Sequence, residues 1–180
     1  MTRRLDAGAR GRAQPVRVEP ERLRESAARL PSVPLSGGKS MTTPSIDSHH
    51  ATLVPDGRRE MFLPTLFGPR LMIIAENTVY TFMERLCPRD YGGGFWNFYE
   101  FEGRPLFMAP ASTSRFRIES DITGYQGDVS AEAGGIIATL FALSHLSFRH
   151  QSDDLGRGFE RLRTYSDGHP EASAIFQAID

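Results

Sequence analysis

The chain has 180 residues, 39% of them hydrophobic, and a formal net charge of −1, a length that suits one folded domain with an extension rather than two cores. Cys87 is the single cysteine, which excludes an internal disulfide and fits a reducing cytoplasm. The longest apolar run, residues 133–143, falls short of the ~18 residues that span a bilayer, and the arginine-bearing start lacks the apolar core of a secretory signal. Neither membrane insertion nor export is expected.

The near-zero charge hides an asymmetry. Residues 1–40 carry eight Arg, Lys39 and four acids, net +5, whereas residues 41–180 carry twelve Arg, eighteen acids and no Lys, net −6. Residues 1–50 are rich in Arg, Ser, Pro and Gly and poor in large apolar side chains, so they read as a disordered basic arm, with at most a transient helix over 19–30. No aromatic residue interleaves its charges, which favours a solvated tail over a nucleic-acid-binding one. Met41 opens a run, MTTPSIDSHH, that would itself serve as a protein start. The codons of Gly37 and Gly38 can spell a purine-rich ribosome-binding sequence just ahead of it. Residues 1–40 are therefore expected to lie outside the working protein. The nearby GGKS is no phosphate loop, because Val33 stands where that motif needs glycine.

The folded body is expected over residues 53–180. Asp56 can cap a short helix through Met61 and Phe62, stopped near Pro64 and Gly68. Residues 70–74 (RLMII) read as a short strand or extended segment. Val79, Phe82, Met83 and Leu86 fall on one face of a helix over 78–86, capped by Asn77 or Thr78 and ended by Pro88. The stretch YGGGFWNFYEFEGRPLFMAP follows, with four Phe and the only Trp. Residues 95–101 read as a buried strand, Gly103 as a turn, and 106–109 as the return strand bracketed by Pro105 and Pro110. In SRFRIE, Phe116 and Ile118 alternate with Arg115, Arg117 and Glu119, giving a third strand with one wet face. GYQGD reads as a turn into a buried helix over 131–148, capped by Ser130, with Glu132 in the first turn. Gly134 and Gly135 would weaken that helix unless they allow close approach to the aromatic hairpin. Helices over 154–166 and 171–179 complete an α+β fold: about three antiparallel strands in a short meander, packed with about four helices.

Catalytic and ligand-binding constellations are sought with little return. Cys87 sits at a helix end with no base signature. His145 and His150 do not share a helical face, and no carboxylate or thiol completes a metal set. Gly92 to Gly94 lead into a strand rather than a helix N-terminus, so they read as a turn. Trp96, Phe98 and Tyr99 could stack bases, but a core role is plainer. No nucleophile, base and orienter assemble. The residues alone point to a binder rather than an enzyme, with no cofactor or metal.

Several segments together carry a more specific signal: FLPTLFGPRLM, VYTFMERLC, YGGGFWNFYE, PLFMAP, GYQGDVSAEAGGIIATLFAL and HPEASAIFQAID. In this order they resemble the KlcA/ArdB antirestriction family over about residues 55–180, while the arm lies outside the pattern. The resemblance implies a small cytoplasmic bacterial protein of plasmids or genomic islands that protects incoming DNA from type I restriction. Its partner would be the type I restriction-modification complex or a host factor acting on it. Direct DNA mimicry is disfavoured, since duplex DNA carries about one charge per 1.7 Å and the acids here are sparse and offset by arginine. Specific DNA binding is not expected. The alternative is a nucleic-acid-binding accessory protein using the arm and Arg115 and Arg117. Exposed polar residues within the matching segments, Glu100, Asp128, Ser130, Glu132 and Asp180, are the expected partner contacts.

Overall fold

The computed structural model describes residues 50–180. The basic arm, the Met41 start and the helix over 19–30 lie outside the described residues. The element around which the rest packs is a helix, α3 (Ala131–His150), flanked by α2 (Met72–Leu86), α4 (Asp153–Ser166) and α5 (Ala172–Ile179). By length and composition α3 could cross a membrane, but 67% of that window is buried inside the protein. Ile136, Ile137, Leu140 and Leu143 are all fully buried, so this middle stretch of the helix is apolar on every side because protein surrounds it there.

The strands form two separate antiparallel sheets rather than one meander. In the first, β1 (Thr52–Leu53), β2 (Trp96–Phe101) and β3 (Arg104–Pro110) lie in that order. In the second, β4 (Arg115–Glu119) pairs with β5 (Gln126–Ser130). The α+β class holds, but the third strand expected beside the aromatic hairpin pairs instead with β5, whose first three residues belong to the GYQGD that reads as a turn in the sequence. Phe116 and Ile118 are buried and Arg115 is exposed, as the alternation requires.

The aromatic hairpin is core, and its rings stack on one another rather than on an open face. Tyr99 lies 4.6 Å from Phe107, Phe98 4.7 Å from Phe62, and Trp96 donates its indole N–H to the Tyr91 hydroxyl at 2.8 Å. Phe95 departs from this. It precedes β2, is 90% exposed, and keeps only its carbonyl engaged, with the Ala111 amide.

Residues 56–67 form a 3-10 turn (Asp56–Met61) running into α1 (Phe62–Phe67), with Pro64 tolerated in the first turn, where its missing N–H has no helical acceptor. Residues 70–74 are not a strand: α2 begins at Met72, and the Thr78 hydroxyl bonds back to the Ile74 carbonyl instead of capping. Short apolar runs cannot be assigned by periodicity alone. The expected apolar face survives, with Val79, Met83 and Leu86 buried and Phe82 stacked on Phe141 at 5.4 Å.

At the crossing of α3 over β3, a Cβ on Gly135 would lie 2.3 Å from the Ala109 Cβ and 2.5 Å from the Met108 carbonyl oxygen. The close approach to the hairpin is thus made by this glycine. The buried Thr139 hydroxyl, one turn on, faces the Met108 backbone at 3.4 Å.

Candidate interaction surface

Three of the five sequence-predicted residues come together where β5 passes into α3. Ser130 ends the strand and caps the helix, its Oγ accepting from the Ala133 amide at 3.1 Å. That is the capping geometry expected of a serine with extended backbone before a helix. Asp128, two residues upstream, points to the wet face of the sheet and pairs with Arg117 at 3.6 Å. Glu132, in the first helical turn, is half-buried, with Oε1 3.8 Å from His169 Nε2.

The centre of this cluster is a residue that spacing does not signal. Glu171, at the entrance to α5, takes the Ser130 amide on both carboxylate oxygens, at 3.2 and 3.1 Å, and an Arg115 guanidinium N–H at 2.7 Å. The same Arg115 nitrogen donates to the Asp128 carbonyl at 2.7 Å. Burial alone would raise the Glu171 pKa, but the bonds from Ser130 and the Arg115 charge outweigh it and hold the carboxyl below its ordinary value. His169 accepts the Glu171 amide on Nδ1 at 3.0 Å, leaving Nε2 to carry its proton toward Glu132. Burial pushes the His169 pKa down, against the pull of Glu132 and Glu171 and with a smaller push from His50. The imidazole is therefore held neutral.

The other two residues lie elsewhere. Asp180 is exposed at the end of α5, 3.5 Å from Arg163. Glu100 is not an exposed contact residue at all: it is 8% exposed and paired with Arg58 at 2.5 Å. It sits on the middle strand of its sheet, on the same side as buried Trp96, beside the irregularity at Tyr99/Glu100, and the 3-10 turn lays Arg58 over it.

Cys87 is buried and its thiol is pushed up to about 12, by burial first and then by Asp90 and Glu119, so it stays protonated. Among the described residues no group of three or more His, Cys, Asp or Glu could hold a metal ion. Eight of the seventeen Asp and Glu among the described residues pair with an arginine, including Asp121 with Arg85 and Glu119 with Arg89.

Comparison with known proteins gives this geometry a context. The model of the antirestriction protein family matches residues 89–180. An antirestriction protein KlcA of Escherichia coli is 44% identical over 134 residues, covering 72% of this chain and 94% of that protein. YafX of Escherichia coli K12 is 37% identical over 133 residues, covering 72% and 86%. A solved structure, from work describing KlcA and ArdB as having a novel fold and antirestriction activity against type I DNA restriction systems in vivo but not in vitro, superposes with a TM-score of 0.66 at 45% identity. It covers 73% of this chain and 94% of its own.

Proposed function

Since the chain belongs to the KlcA and ArdB family of antirestriction proteins, we propose that it relieves type I restriction of incoming DNA in the bacterial cytoplasm by binding protein, without catalysis and without imitating DNA. The observation that carries the mechanism is the pairing of its carboxylates. A DNA mimic needs a continuous array of unneutralised charge at phosphate spacing. Here Asp56, Glu100, Glu119, Asp121, Asp128, Asp154, Glu171 and Asp180 each face an arginine within ion-pair distance. The same pairing counts against the accessory nucleic-acid-binding reading, because Arg115 and Arg117 are engaged by Glu171 and Asp128. The KlcA and ArdB activity in vivo but not in vitro fits an effect exerted through a further cellular protein, either part of the restriction complex or a factor acting on it.

Asp128 and Glu132, with the Ser130 cap between them, form the partner-contacting edge in this reading, with Asp180 as a separate contact. Glu100, being buried, contributes only structure. The test is the plating efficiency of unmodified phage on cells carrying a type I system. Residues 41–180 should relieve restriction as well as residues 1–180. Asp128→Arg should lower relief by ~10-fold or more, the scale of losing a contact worth about 1.4 kcal/mol, without loss of folded protein. Full activity of Asp128→Arg would remove this edge from the interface. Failure of both wild-type forms would overturn the function itself.

A further inference from the structure

A cleft of about 1350 Å³, away from the cluster at the start of α3, is lined by α1, the start of β3 and the α3–α4 junction. Three arginines line it, of which Arg157 is paired with Asp154. The Arg161 guanidinium bonds the Pro105 carbonyl, and Arg104 is the residue next to that proline. Among the described residues, neither Arg104 nor Arg161 has a carboxylate within ion-pair distance, whereas eight other arginines do. Arg161 Nε is buried with no acceptor, the single such side-chain atom among the described residues. A buried donor left unmade costs about 1–3 kcal/mol, and adding an uncompensated neighbouring cation makes the arrangement costlier still. Burial, and then the Arg104 charge, accordingly pull the Arg161 pKa down.

The same cleft carries Asp153, Asp154 and Glu160, of which only Asp154 is paired among the described residues, with Arg157. Phe148, 83% exposed, stands at its wall. From this we infer that the cleft is a docking site for a segment of a partner protein that places a carboxylate between Arg104 and Arg161. A basic group nearby in the segment would face Asp153 and Glu160, and an apolar side chain would lie against Phe148. The acids of the cleft oppose a uniform polyanion, which favours a protein segment of mixed charge over a nucleic-acid backbone. Phe and Arg are also residue types enriched at protein interfaces. This deepens the protein-binding reading above and rests on it for the partner, although the cleft chemistry can be tested alone.

The binding test is an NMR titration of the full chain with a short synthetic peptide carrying one glutamate and one lysine, with a twin in which glutamine replaces the glutamate, and with a short DNA duplex. The expected result is saturable movement of the Arg104 and Arg161 side-chain signals by the glutamate peptide, with binding ~10-fold weaker for the glutamine twin and for the Arg104→Glu chain. Arg104 is exposed at a strand start, so its replacement leaves the fold intact, which an unchanged thermal midpoint checks. The proposal is overturned by no saturable movement, by equal binding of the twin, or by tighter binding of the duplex at the same signals. In the plating assay, wild type should relieve restriction and Arg104→Glu should lose ~10-fold or more of that relief. Equal relief by both would overturn the cleft proposal and leave the function standing. No relief by wild type would overturn the function, leaving the titration to decide the cleft.

Discussion

Gly134 and Gly135 are adjacent and both helical, yet they are not equivalent. At Gly135 an added Cβ would meet the backbone of β3, with the Ala109 Cα at 2.5 Å, which cannot move without breaking the sheet. At Gly134 the nearest atom would be the Met83 methyl at 3.2 Å, the end of a flexible side chain. Gly135→Ala should therefore destabilise by about 3 kcal/mol or more, the upper end of overpacking. Gly134→Ala should stay within about 1 kcal/mol of wild type, because relief of the glycine helix penalty offsets the crowding. Urea midpoints measured on the two variants side by side will show the difference. Equal losses would mean that α3 does not press on β3 as described.

Among the elements, β4, β5, α3 and α5 meet at a junction fastened by charge at Glu171. Glu171→Ala leaves the Ser130 amide and Arg115 without their acceptor and should cost about 1–3 kcal/mol. The junction also sets a pH dependence. His169 is depressed below its ordinary 6.5, so its contribution is present above that pH and is lost as pH falls through the lower folded value. Glu171, depressed below 4.5, acts in the same direction at more acidic pH. Stability measured by urea should decline from pH 7 toward pH 5 (about the range a histidine spans), and His169→Gln should flatten that decline.

The helices are legible in the sequence, since apolar spacing and the Ser130 cap mark α3 and Leu155 and Leu162 mark α4. The strand partners are not. β1 has two residues and no pattern, and β5 carries Gly127 and Asp128 where alternation would be sought. The candidate surface was half visible for the same reason: Asp128, Ser130 and Glu132 are sequence neighbours, whereas Glu171 lies 41 positions from Ser130. Only the fold brings them together. Glu100 was misplaced because a carboxylate on a middle strand looks exposed until Arg58 is seen lying across it.

For the molecule as a whole, the folded part carries an excess of acids, but eight of the seventeen among the described residues are set against an arginine. Its field is therefore short in range, and association should be governed by fitted contacts rather than by long-range steering. Two consequences can be measured. Added to a purified type I enzyme, the chain should leave DNA cleavage unchanged at equimolar amounts. Its activity in cells should depend on side chains such as Asp128 and Arg104 rather than on net charge, so that adding two glutamates on an unrelated exposed face of α2 should alter relief less than ~2-fold. Stoichiometric inhibition of the purified enzyme would restore the competition mechanism set aside above.

The Tyr165 hydroxyl accepts the Ala51 amide at 3.0 Å across 114 positions of chain, and β1 waits for a partner at Tyr99 and Glu100. At a synthesis rate of about 5–20 residues per second, the first strand is synthesised roughly 6–23 s before the tyrosine that fastens it. A message broken before the codon for Tyr165 yields both hairpins but no clasp. Entering DNA that encoded such a protein would gain nothing from partial translation, and the time to the first complete chain becomes part of the delay before protection begins.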